Sequence, residues 1–119
     1  MKKFYFLGSC NTCQRILGQL NLDPDFKLKD IKKKPITTEE LAQLKALSGS
    51  YEALFSKRAM LYKKLGLKEK TLREVDFKDY ILEHYTFLKR PVLVFGDRIF
   101  IGNSAKVTEA AQIALLNEK

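Results

Sequence analysis

Apolar residues recur in this chain at a few distinct spacings, and each spacing predicts a different element. Phe4–Leu7 is an unbroken apolar run closed by Gly8-Ser9, the pattern of a buried strand. From Cys13 onward, Ile16, Leu17 and Leu20 recur at helical spacing, so a first helix starts inside Cys10-Asn11-Thr12-Cys13. Phe26, Leu28 and Asp30 then alternate with Lys27, Lys29 and Ile31, an imperfect period of two that predicts a second strand with one exposed face. Strand, helix and strand within about 30 residues form a βαβ unit, and hence a parallel pair.

The middle of the chain reads as helical. Thr37 and Glu40 have capping-box spacing, and Leu41, Leu44 and Leu47 follow on one face before Ser48-Gly49 ends the helix. A second helical segment spans roughly Tyr51 to Leu65, with Gly66 as its stop and a break expected near Ser56–Arg58. Asp76 opens "FKDYILEHYTFL", where Phe77, Tyr80, Ile81, His84, Tyr85 and Leu88 make an apolar stripe that Arg90-Pro91 terminates. Val92–Phe95 and Arg98–Ile101 flank Gly96-Asp97, a two-residue loop with glycine first, as a type II′ hairpin prefers. Asn103 or Ser104 can cap a last helix bearing Val107, Ala110, Ala111, Ala114 and Leu115. The expected order is βαβ, a helical segment, then ββα, within one domain covering residues 1–119.

Composition changes this picture little. A chain of 119 residues, 45% hydrophobic and 30% charged, can bury a core without disulfide staples. The apolar run near the start is too short for a signal peptide, and no stretch approaches the roughly 18–20 apolar residues of a membrane span. A cytoplasmic location is therefore expected. The net charge of +8 is spread among apolar positions, as in Lys27, Lys29, Lys32, Lys33, Lys34, Lys63, Lys64, Lys68 and Lys70. That dispersion reads as solvated faces, with attraction to an anionic partner as the alternative. Direct nucleic-acid binding and membrane association are not expected.

Candidate chemistry rests on the chain's two cysteines, Cys10 and Cys13. Zinc needs four ligands, and this pair with the single histidine, His84, does not supply them. Two incidental buried thiols are a second reading. The third is a redox or nucleophilic pair, and the position favours it. A thiol at the leading edge of a helix feels unpaired N–H groups and the positive end of the helix dipole, both of which stabilise thiolate. Cys10 is then the exposed nucleophile, and Cys13, about one turn on, is placed to attack an adduct on Cys10 and close a disulfide. C-x-x-C after a strand in a βαβ setting is a thioredoxin-like signal. In such folds the first strand of the second half begins beside the active site, often after a cis-proline. Pro91 stands at that place, with helix termination as its alternative role, and Arg90 would be carried toward Cys10.

"GSCNTCQRIL", "LFSKRAMLYKKLGL" and "LKRPVLVFGDRIFIGNS", in that order, resemble the arsenate reductase/Spx-like family along nearly the whole chain. The resemblance implies an α/β thioredoxin-like fold, with halves at about 1–35 and 88–119 and a helical insertion at about 36–87. It implies that Cys10 is the nucleophile and that Cys13 stands where the Spx branch has a second cysteine and arsenate reductases have serine. It also implies that Arg58 and Arg90 bind an oxyanion or substrate, with Pro91 and Gly102 as structural residues near the site. Plain surface exposure for Arg58 and a cross-sheet ion pair for Arg90 are the alternatives. Gln14 and Arg15 stand where that family has an arginine soon after the motif, and "IGNSAKV" supplies no counterpart to its further arginine.

The expected activity is thiol–disulfide oxidoreduction resembling that of glutaredoxin-dependent arsenate reductases, an enzyme acting on a small oxyanion or disulfide. No metal or organic cofactor is expected, only an external thiol reductant such as glutathione, glutaredoxin or thioredoxin. The alternative function is an Spx-like redox-sensing regulator that binds the RNA polymerase α subunit.

Overall fold

The strand and helix signals near Cys10 come from local sequence, and the backbone follows them closely. In the computed structural model, which describes residues 1–118, β1 is Lys2–Phe6, α1 is Asn11–Leu20 and β2 is Lys27–Asp30. β1 and β2 run parallel with Phe4 opposite Leu28, as a crossover helix requires. β3 (Val92–Phe95) pairs antiparallel with β1, and β4 (Arg98–Ile101) antiparallel with β3, giving the strand order β2-β1-β3-β4. Gly96 takes φ +61° between β3 and β4, and Asp97 is not among the positive-φ residues, the combination a type II′ turn uses.

The chain divides into two compact units, Met1–Lys34 with Arg90–Lys119, and Pro35–Lys89. In the first, α1 and α5 (Ala105–Asn117) supply the apolar side chains that cover one face of the sheet. Phe4, Leu93 and Phe95 from the strands meet Ile16 and Leu20 of α1, and Ala111 and Ala114 of α5. The two alanines keep the helix close to the sheet, and Gln112 Nε2 ties α5 to α1 by donating to the Gln19 carbonyl at 3.2 Å. Ser104 is the cap of α5, its Oγ accepting from the Val107 N–H at 3.2 Å. Fully burying a phenylalanine contributes about 1.5–3 kcal/mol, so Phe4 and Phe95 are major holders of this layer. Leu28, however, is 52% exposed. It sits on an edge strand, and edge position overrides the alternation that marked it as inward.

In the second unit, α2 (Thr38–Ser48) begins with the expected capping box. Thr37 Oγ1 accepts from the Glu40 N–H at 3.1 Å, and Glu40 Oε1 accepts from the Thr37 N–H at 3.0 Å. The helical segment expected from Tyr51 to Leu65 does break around Ser56–Arg58, and little of it is α-helix: a 3-10 turn at Glu52–Leu54, extended chain, and a short α3 at Met60–Lys64. Phe55 breaks it: its ring packs between Phe77 at 4.9 Å and Phe87 at 5.2 Å, and its backbone bridges Leu88. Glu74 adds a tie that no local pattern announced, accepting from the N–H groups of Tyr51 at 2.7 Å and Glu52 at 3.2 Å.

The last helix of this unit also needs correction. α4 runs Glu74–Glu83, with Asp76 inside its first turn accepting from the Arg73 N–H at 2.8 Å, and it stops at His84 rather than near Leu88. His84 is extended, and its Nδ1 accepts from the Thr86 N–H at 3.3 Å. The apolar stripe continues past it because a 3-10 turn, Tyr85–Phe87, keeps Phe87 and Leu88 inward. Ser56 and Lys89 then donate their N–H groups to the Phe87 and Leu54 carbonyls at 2.7 and 2.8 Å, which demands extended chain on both sides.

Candidate functional site

β1 delivers the chain to a tight loop, Leu7 to Cys10, before α1 begins. The Cys10 N–H donates to the Leu7 carbonyl at 3.0 Å, and the Cys10 carbonyl accepts the first helical bond, from the Gln14 N–H at 3.1 Å. Cys10 is thus the N-cap, in extended conformation (φ −91°, ψ 115°). A β-carbon at Gly8 would meet the Asp30 carboxylate of β2, which would have to shift to admit it. Asp30 Oδ1 is itself held by the Lys32 N–H at 3.1 Å.

The two thiols have different surroundings. Cys10 is half-buried and Cys13 fully buried, and neither is in a disulfide. Burial, the largest single effect, pushes the Cys10 thiol up, but several smaller opposing effects together leave it below its ordinary value. The N–H groups of Cys13 and Thr12 point at its sulfur without closing a formal cap bond, the Cys13 thiol donates to it, and the Arg90 guanidinium adds positive charge. Cys13 is pushed up to about 11, mainly by burial, and further by the Cys10 charge that its own thiol serves. The Leu7 N–H and Arg90 oppose that rise.

Arg90 enters from the other half of the same unit. Its peptide bond to the buried Pro91 is cis. The Arg90 side chain is half-buried, with Nε shielded from solvent. Gly102, just after β4, donates its N–H to the Pro91 carbonyl at 2.9 Å from φ +95°, a conformation that favours glycine.

The structure therefore brings together Cys10, Cys13, Arg90, Pro91 and Gly102. Arg58 belongs to the second unit and is exposed, in the extended stretch before α3. Neighbouring Lys57 is tied to Glu52 at 3.0 Å, and Arg98 is exposed at the start of β4. Residues that the sequence reading did not single out for a role at the site are Leu7, Gly8, Thr12 and Asp30. The roles of Leu7 and Thr12 lie in backbone N–H groups, and those of Gly8 and Asp30 in a contact between strands, so no side-chain motif marks them. Among the described residues no cluster of three or more His, Cys, Asp or Glu side chains is placed to hold a metal ion. No helix among them is long and apolar enough to cross a membrane.

A four-stranded mixed sheet with a C-x-x-C at the β1–α1 junction, a cis-proline opening β3 and a helical insertion between the halves defines a thioredoxin-like α/β protein of the arsenate-reductase type. The ArsC family model matches residues 5–111, and the chain belongs to that family. Solved structures show the same fold. An arsenate reductase from Vibrio cholerae superposes with TM-score 0.75 at 20% identity, covering 92% of this chain and 93% of that one. An arsenate reductase (ArsC) related protein from Brucella melitensis gives 0.69 at 20% identity, covering 92% of each chain. A protein from Staphylococcus aureus gives 0.72 at 27% identity, covering 92% of this chain and 97% of that one. A search of curated protein sequences found no match. Membership supports a thiol-oxidoreductase-like function at the level of the family.

Proposed function

We propose that the protein is a thiol–disulfide oxidoreductase with Cys10 as nucleophile and Cys13 as resolving thiol. The observation that carries this reading is the placement of the two sulfurs, Cys10 half-buried as the N-cap of α1 and Cys13 fully buried one turn on, which lowers the first thiol and raises the second to about 11. The thiolate is the attacking species, so the pair is ordered before any substrate arrives.

In the proposed cycle the Cys10 thiolate attacks one sulfur of a substrate disulfide and expels the other as a thiolate. The resulting mixed disulfide carries no charge on Cys10, so the anion that holds the Cys13 proton in place is gone. Cys13 then loses its proton to solvent or to the departing thiolate and attacks Cys10 Sγ, releasing the second half of the substrate. The substrate disulfide gains two electrons, and Cys10–Cys13 is left oxidised. Two glutathione thiols, or the two thiols of a glutaredoxin or thioredoxin, return the pair to the dithiol by the same exchange chemistry and leave as a disulfide. Arg90, and by family resemblance Arg58, would hold negative charge on a small oxyanion or on the leaving thiolate. A guanidinium presents a planar fork suited to such groups.

Reduction of 2-hydroxyethyl disulfide by glutathione, with Cys10→Ser and Cys13→Ser as controls, tests the reading. Turnover lost in Cys10→Ser is the expected result, with Cys13→Ser accumulating a mixed disulfide on Cys10 when it is incubated with the disulfide in the absence of glutathione. A wild-type protein inert toward disulfides and toward arsenate, yet retained by RNA polymerase α subunit, would replace this reading with that of an Spx-like regulator.

A further inference from the structure

Gln14 lies on the first turn of α1, and its Nε2 donates to the Gly8 carbonyl at 3.0 Å. Only the amide nitrogen can donate to a carbonyl, so the orientation of the group is chemically determined. The bond spans the loop that carries Cys10. Gly8 is therefore tied to the helix through its carbonyl, with the Asp30 carboxylate of β2 lying on the side where a β-carbon would project. The loop is also closed by the Cys10 N–H, which donates to the Leu7 carbonyl at 3.0 Å.

We infer that Gln14 is a positioning residue for the Cys10 thiolate, a role that rests on the oxidoreductase reading. The argument is geometric. The thiolate is stabilised by N–H groups of Thr12 and Cys13 that point at one place, and such interactions weaken steeply with angle. Where the sulfur sits is set by the Leu7–Cys10 loop, and Gln14 anchors that loop to the helix whose N–H groups do the stabilising. An amide does this with no net charge. The positive charge at the thiol is thereby left to Arg90, which approaches from the strand side.

The alternative is that Gln14 is an ordinary exposed helix residue, and the two roles differ in what Gln14→Ala does to Cys10. Alanine is the better helix former, so a surface role predicts unchanged or higher thermal stability and an unchanged Cys10. The positioning role predicts the same fold and stability, but Cys10 alkylation at pH 7 slower by roughly two- to tenfold, the worth of one neutral hydrogen bond. Its midpoint in an alkylation–pH profile, read on the Cys10 peptide by mass spectrometry, moves upward.

Gln14→Arg keeps a donor within reach and adds positive charge, and is expected to restore or exceed the wild-type rate. Gln14→Glu replaces the donor with an anion and is expected to be slowest. A Gln14→Ala profile that overlays the wild type would overturn the inference. So would a series in which only Arg and Glu differ, since that is charge acting without the tether. A wild-type Cys10 with an ordinary thiol midpoint would instead remove the oxidoreductase reading beneath it.

Discussion

The Cys13 thiol donates to the Cys10 sulfur, and this contact adds to the separation of the two groups: it lowers Cys10 together with the backbone N–H groups, and raises Cys13 together with burial. Cys10 is accessible where it is most nucleophilic, and Cys13 is buried and protonated until the charge beside it is removed. Between the depressed Cys10 value and about 11, the pair carries one negative charge and one proton.

That relationship predicts how each thiol titrates alone. In Cys13→Ala, Cys10 loses a donor, so its alkylation midpoint rises and its rate at pH 7 falls. In Cys10→Ala, Cys13 loses the anion beside it, so its midpoint drops below about 11 while burial holds it above an ordinary thiol. Alkylation followed from pH 5 to 11.5 in both variants checks this. Two coincident midpoints near the unperturbed value, about 8.5, would contradict it.

Arg90 has two separable effects, charge and fork. Arg90→Gln removes both, and Cys10 alkylation at pH 7 is expected to slow by roughly two- to fivefold, since the guanidinium charge is the smallest of the effects that lower the Cys10 thiol. Arg90→Lys keeps the charge, so alkylation stays near wild type, while affinity for an oxyanion such as arsenate falls about tenfold. Stopped-flow alkylation and isothermal titration on the same two proteins distinguish the effects.

Arsenate itself is expected to be a poor substrate. The segment after Ile101 reads Gly102-Asn103-Ser104-Ala105-Lys106 and offers no arginine at the site, and Arg98 is exposed at the start of β4. A lost charge-assisted hydrogen bond costs about 1.5–3 kcal/mol, tenfold or more in binding. Arsenate-dependent oxidation of a coupled thiol reductant is expected to stay below a kcat/KM of about 10⁴ M⁻¹s⁻¹, while disulfide reduction proceeds. A higher value would point to Arg98 or Lys57 as a substitute cation, and Arg98→Gln and Lys57→Gln would tell which.

Gly102→Ala tests the support beneath the site. The position has φ +95°, so any side chain there costs about 1–2 kcal/mol. The N–H that holds the Pro91 carbonyl at 2.9 Å would shift with it. Urea denaturation should show a stability loss of that size, together with slower Cys10 alkylation, because Arg90 is attached to the same proline. An unchanged midpoint and unchanged alkylation would show that Gly102 carries no such role.

Elements built from neighbours in sequence were legible before any coordinates. β1 and the start of α1 follow from an apolar run meeting Gly8, the α2 cap from Thr37 and Glu40 three residues apart, and the β3–β4 hairpin from Gly96-Asp97. Cys10 and Cys13 announce themselves by spacing, because a helix places residues three apart on one edge. Elements decided by distant partners were not legible. α4 stops at His84 because Leu88 must be extended to bridge Phe55, more than thirty positions away, and no propensity within the stripe records that demand. Leu28 is exposed because β2 is an edge, a property of strand order rather than of alternation. The same holds at the site. Local sequence determined which thiol leads the helix, but which thiol holds the proton was decided by burial, by Arg90 arriving from the far half of the chain, and by backbone N–H groups that every residue type shares.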